Sequence, residues 1–201
     1  TSQGQIMPNY TFRTGVDANK WITLDASATQ FVGSGDDGYV SPITNIGFSF
    51  LFGEDYYNQF SVNTDGFMRL GPVAINDYYY YSSFYYSYFP KIAGVGKDLG
   101  TGTNGYVKYQ TVGQAPNRVL VVEYKLGADW HDNIAADVMF QVQLHEDSNK
   151  VVIVYGPTAP STTPTSYQIG LGVSSNDFML INPTTHTTTH YTALTSGGTT
   201  S

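Results

Sequence analysis

The period of the apolar residues limits this chain more than any other feature: they recur at every second position and almost nowhere at the 3.6-residue period of a helix. In residues 46–52 (IGFSFLF), Ile46, Phe48, Phe50 and Phe52 share one face, and Gly47, Ser49 and Leu51 share the other. Such segments are rich in Val, Ile, Phe, Tyr and Thr, side chains that suit a pleated, half-buried surface. Residues 58–63 repeat the pattern with Phe60 and Val62 inward, and Thr64-Asp65-Gly66 is hairpin chemistry that returns the chain through 67–70. The intervening GEDYY at 53–57 reads as turn material. Further strands are predicted over 106–112, 118–125, 137–146 and 150–155, set apart by turn clusters at 113–117 and 147–149. Within 137–146, Val138, Phe140, Val142 and Leu144 point to a core, while Met139, Gln141, Gln143 and His145 are expected to meet water. Residues 151–154 are apolar on both faces and read as a central strand covered on each side. Closing strands are predicted over 167–173, 178–181 and 186–192. A sheet with one apolar face has to bury it against another. The expectation is therefore all-β: a two-sheet antiparallel β-sandwich of jelly-roll or lectin-like type, with essentially no helix.

Composition narrows the function classes. Charged residues make up 12% of the 201, about half the ~25% usual for soluble domains. The net charge is -7 and no basic stripe occurs, which opposes binding nucleic acid through its phosphates. Without cysteine there are no thiolate metal sites, cysteine nucleophiles or disulfides, so packing and strand pairing carry the stability. No apolar run approaches the ~20 residues of a membrane-spanning helix, and no membrane insertion is expected. Strand patterning is the same on both sides of the Pro/Thr/Ser stretch 157–164, so residues 1–201 read as a single domain. Its core spans about 5–195, with a polar tail at 195–201 and no internal repeat.

Several segments together carry a resemblance. They are DDGY at 36–39, the IGFSF run at 46–50, FSVNTDGFMRLG at 60–71, YQTVGQAPNRVLVVEYK at 109–125 and FQVQLHEDSNKVVIVYG at 140–156. In this order they resemble the N-terminal β-sandwich domain of secreted and surface proteins of the Bacteroidetes, adhesin-like modules associated with type IX secretion. The resemblance implies an exported bacterial protein, secreted or held at the cell surface, with no assigned catalysis. Thr1-Ser2-Gln3 would then follow a cleaved signal peptide. Relatives carry an acidic, Trp-containing stretch where this chain has a Tyr-rich insertion and then Lys97-Asp98-Leu99.

That insertion, 76–90 (NDYYYYSSFYYSYFP), is the one low-complexity segment. Tyr78, Tyr79, Tyr80, Tyr81, Tyr85, Tyr86 and Tyr88 offer large contact areas and hydroxyls with little rotamer entropy to lose, which is why recognition loops favour tyrosine. Stacking on sugar rings or adhesion to another protein surface would use them. The alternative is that alternate rings pack on the domain. A second concentration lies at 127–133, where Asp129, Trp130, His131 and Asp132 could stack on and hydrogen-bond a sugar, or Trp130 could cap one end of the sandwich. Asp36 and Asp37, like Glu54-Asp55 and the 63–66 turn, are oxygen-rich turn residues of a kind that can hold calcium, although none has EF-hand spacing. Asp and Asn before Gly are also ordinary turn residues. His186 and His190 imitate a helical metal pair, but on a strand they stand ~13 Å apart.

No nucleophile elbow, phosphate loop or zinc-protease motif is present. A polysaccharide-active enzyme would need a facing carboxylate pair, for which Asp129 or Asp132 with Glu123 or Glu146 are the candidates. The reading that unites these features is a non-catalytic binding or adhesion module whose partner is a glycan or a cell-surface protein. Self-association as a structural module of an extracellular protein or filament is the alternative.

Overall fold

The computed structural model describes residues 6–78, 82–127, 135–156, 167–182 and 184–192. The strands among them are β1 Thr29–Val32, β2 Thr44–Phe52, β3 Asp55–Val62, β4 Phe67–Leu70, β5 Lys91–Gly96, β6 Tyr106–Val112, β7 Val119–Leu126, β8 Val138–His145, β9 Lys150–Tyr155, β10 Gln168–Ser174, β11 Asp177–Asn182 and β12 Thr187–Thr192. Short 3-10 turns stand at Met7–Asn9 and Ala18–Lys20. Two antiparallel sheets result, a five-stranded one in the order β1-β6-β7-β8-β9 and a seven-stranded one in the order β12-β11-β10-β5-β4-β3-β2. The expected β-sandwich is thus the observed fold.

The main core lies between the sheets. Ile46, Phe48, Phe50 and Phe52 of β2 are all buried there, as the alternation requires. From the opposite sheet come Val122 and Tyr124 of β7 and Phe140 of β8, with the Tyr124 and Phe140 rings stacked at 4.5 Å. Gly94 of β5 leaves the space that the Phe140 ring fills. Tyr155 of β9 reaches across from the other sheet to donate to the Gly94 carbonyl at 2.8 Å.

Several local expectations are corrected. The β2–β3 hairpin pairs Phe52 with Asp55, so the connection is Gly53-Glu54 alone and Asp55, Tyr56 and Tyr57 continue the strand. Gly53 takes a positive φ of 68°, which lets so short a link reverse the chain. The outer face of β8 does not meet water at Gln141 and Gln143, which are 0% and 1% exposed. A strap from the N-terminal region covers them: Gln141 accepts from the Ile22 N–H at 3.2 Å and donates to the Ile22 carbonyl at 2.7 Å, and Gln143 donates to the Lys20 carbonyl at 2.8 Å. β9 is an edge strand, half-buried on both faces, rather than a central one. β1 and β5 were not expected at all.

Edge protection of β2 comes from the facing sheet. Thr111 donates to the Ile46 carbonyl at 2.7 Å, Arg118 donates to the Gly47 carbonyl at 2.5 Å, and Asn149 accepts from the Leu51 N–H at 2.9 Å. These bonds occupy backbone groups that would otherwise template a further strand.

Candidate functional site

The outer face of the seven-stranded sheet carries a second, smaller core of Phe67, Ile75, Phe84, Ala93 and Phe178. The Tyr-rich segment builds it, so this stretch is neither wholly exposed nor wholly packed. Phe84 is fully buried, stacked on Phe178 at 5.6 Å and tilted against Phe67 at 6.2 Å. Phe89 lies over Gly172 of β10, where a Cβ would come within 2.6 Å of its ring. Tyr85, by contrast, is 57% exposed, yet its ring is set edge-on against Phe178 at 5.8 Å and against Tyr191 at 6.0 Å. Tyr191 in turn stacks on Phe178 at 4.4 Å. Tyr78 is 63% exposed, while Tyr86 and Tyr88 are half-buried. Tyr79, Tyr80 and Tyr81 lie outside the described residues, as do Asp129, Trp130, His131 and Asp132.

Polar side chains from the sheet hold this segment. Asn63 donates to the Asn76 carbonyl at 3.0 Å and to the Ser82 hydroxyl at 3.2 Å. Ser61 accepts from the Ile75 N–H at 2.8 Å, and Gln168 accepts from the Phe84 N–H at 2.9 Å. Arg69 donates to the Phe89 and Ala74 carbonyls, both at 3.1 Å, with its guanidinium 5.6 Å from the Tyr88 ring centre. Burial lowers the Arg69 pKa from its ordinary value, and the Tyr88 and Tyr57 hydroxyls oppose that shift. Tyr88 has a φ of 71°, a left-handed conformation that a bulky residue adopts only when its surroundings impose it. Here the Asn76 amide donates to its hydroxyl at 3.1 Å.

Lys91, at the start of β5, is the centre of this arrangement and is 0% exposed. Its ammonium donates to the Ser82 and Ser83 carbonyls at 2.8 Å and to the Ser87 carbonyl at 2.7 Å. It sits 4.3 Å from the Phe89 ring centre and 5.7 Å from that of Phe84. Burial pushes its pKa down to about 7, and the Arg69 guanidinium adds to the shift. Three acceptors and two ring faces act the other way, because an ammonium satisfies three carbonyls and a neutral amine cannot. Sequence reasoning missed Lys91, Arg69 and Gln168, and read Asn63 only as part of an oxygen-rich turn. One signal was present: a lone lysine opening the otherwise apolar run KIAGVG directly after the aromatic segment.

The remaining candidates occupy ordinary structural positions. The Asp36 carboxylate accepts from the Gly38 N–H at 3.1 Å within its own turn, and the Asp36 and Asp37 carbonyls accept from Thr101 and Thr64. Among the described residues, no three His, Asp or Glu side chains form a group that could hold a metal ion. Asp65 is 1% exposed and accepts from the Asn63 amide at 3.2 Å and from the Leu99 N–H at 3.3 Å. Its carboxyl is pushed up to about 9, first by burial and then by the charges of Asp98, Asp37 and Asp77, with the Leu99 bond opposing. Glu123 is buried beneath the strap at 4% exposure, accepting from Tyr106 and Gln141 at 2.8 Å and paired with Lys108 at 3.0 Å. Glu146 is bound by Arg118 at 2.6 and 2.8 Å. His186 sits in the turn before β12 and His190 within that strand.

No curated protein and no solved structure matches the chain. No described helix is long and apolar enough to cross a membrane. The family model described as "NIDO related", an extracellular-type, β-rich family, matches residues 9–201, and the chain therefore belongs to the NIDO-related family.

Proposed function

We propose that this chain is a non-catalytic binding module, secreted or displayed at a cell surface, that contacts neutral glycans through the aromatic shelf on the outer face of its seven-stranded sheet. The observation that carries the reading is Tyr85, 57% exposed yet fixed edge-on between Phe178 and Tyr191. Exposed rings held by their neighbours present apolar area with little ordering left to do on binding, which is how stacking on a sugar face gains affinity. The Thr-rich β12 beside the shelf adds uncharged hydroxyls that hydrogen-bond sugars at low desolvation cost. The family supports the extracellular setting. The motif likeness to adhesin-like Bacteroidetes modules supports the narrower adhesion reading.

The test is a glycan array and a polysaccharide pull-down with the wild type, Tyr85→Ala and Tyr78→Ala, in calcium and again in chelator. Binding that falls about tenfold in Tyr85→Ala, as removal of a central aromatic anchor predicts, supports the reading. Loss of binding in chelator would bring the Asp36–Asp37 turn into the site. A wild type that binds no glycan in either condition, and whose size in solution grows with concentration, would replace this reading with self-assembly.

A further inference from the structure

We infer that Lys91 is the positioning residue of the aromatic shelf: its buried ammonium gathers the carbonyls of Ser82, Ser83 and Ser87 into one turn and so sets the orientation in which Tyr85 is presented. The glycan-binding part of this inference rests on the function proposed above; the positioning part does not. Residues 82–89 contain no strand and take no place in the sheet ladders, so side chains substitute for ladder bonds. Among them, Lys91 binds three carbonyls of the segment, at 2.7 to 2.8 Å. The three acceptors come from both ends of a six-residue turn that contains Phe84 and Tyr85. Without a donor at its centre the carbonyls would be buried facing one another, and the turn would open to hydrate them. Phe84 would then leave Phe178, and Tyr85 would lose the edge contact that fixes it.

A single proton governs this arrangement. A neutral amine has two N–H donors for three acceptors, so deprotonation leaves one carbonyl facing a lone pair. The Arg69 guanidinium on β4 disfavours the ammonium and stays charged throughout the relevant range. Gln168 on β10 and Phe178 on β11 carry no charge. Asp65 acts at second hand, through the Asn63 amide that bonds both its carboxyl and the Ser82 hydroxyl.

The test follows amide hydrogen exchange in 82–88, corrected for its intrinsic pH dependence, together with binding to immobilised glucan and mannan. In Lys91→Met, protection of 82–88 is expected to fall at least about tenfold while the β7–β8 amides keep theirs, and any glycan binding to fall in step. Unchanged protection would overturn the inference. Should Lys91→Met fail to fold, the wild type decides. The docked lysine holds its proton only to about pH 7 and an exposed one to ~10, so opening takes up a proton. Protection at 82–88 is therefore expected to rise from about pH 7 to about pH 10, and a flat profile would overturn the inference. Lys91→Arg stays charged at every pH, so a rise it shares with the wild type would count against Lys91, and Asp65, whose carboxyl is raised, acts with the opposite sign. If the wild type binds neither polysaccharide yet Lys91→Met frees the segment, the positioning role stands and the glycan reading falls.

Discussion

At the scale of single residues, Asp65 links burial to pH most directly. Its folded-state carboxyl holds a proton up to about pH 9, whereas in the unfolded chain it releases it near ~4. The stability this group contributes is therefore fully present in acid and is lost as pH rises through the folded value. Both its oxygens accept N–H bonds, so Asp65→Asn keeps one acceptor and sets an amide NH2 against the other donor. That mismatch costs about 1 kcal/mol at low pH. The wild-type thermal midpoint should fall from about pH 5 to about pH 9, while the midpoint of Asp65→Asn starts lower and changes less. Parallel pH slopes for the two chains in scanning calorimetry would refute this. Asp65 was legible in the sequence only as a residue of an oxygen-rich hairpin turn. Its burial depends on residues 97–99 folding over that turn, a contact between distant segments that no local pattern encodes. Lys91 was illegible for a similar reason, since its carbonyl partners became visible only once the turn had formed.

At the scale of elements, strands bounded by turn chemistry were readable to the residue: Phe67–Leu70, Tyr106–Val112 and Lys150–Tyr155 stand where apolar patterning and the flanking turns placed them. β5 was hidden because a lysine and two glycines interrupt its apolar pattern, although all six of its residues are buried. Its glycines are structural, because rings from both sides of the sheet lie against backbone. β9 was misplaced because Val152 and Val154 pair with Gln143 and Gln141, on the face that the strap approaches, and so resemble a strand covered by a second layer. Two glycines separate the faces experimentally. Gly94→Ala drives a Cβ into Phe140 in the main core and should cost about 1 to 3 kcal/mol in global stability by denaturant unfolding. Gly172→Ala meets the Phe89 ring at 2.6 Å and the Phe178 Cβ of β11 at 2.7 Å instead, so its strain falls on the aromatic segment and the strand beneath it. Faster exchange confined to 82–90 and its contacts is expected there, with a smaller change in the denaturation midpoint. Equal midpoint losses would show that the two faces are not independent.

At the scale of the whole molecule, the seven-stranded sheet is buried on both faces by unequal cores. The larger joins the two sheets, with extended ladders and edge bonds from Thr111, Arg118 and Asn149 closing one side. The smaller contains Phe67, Ile75, Phe84, Ala93 and Phe178 and is roofed by a segment held through side-chain donors. Phe84 and Phe140 are both 0% exposed, so burial alone would assign them equal weight, with about 3 to 5 kcal/mol lost on truncation to alanine. Cooperativity separates them. When Phe140 is truncated, both sheets lose their common packing and every protected amide should exchange faster by one factor. When Phe84 is truncated, the global loss cannot exceed the free energy that docks the aromatic segment, because beyond that point the segment opens while the sandwich remains folded. Native-state hydrogen exchange should thus show Phe84→Ala releasing 82–90 with the contacting parts of β11 and β12, and leaving β7 and β8 near wild-type rates. A uniform acceleration in both variants would mean that segment and sandwich unfold as one unit. In that event the shelf is part of the scaffold, and changing its exposed rings for a new partner would put the whole fold at risk.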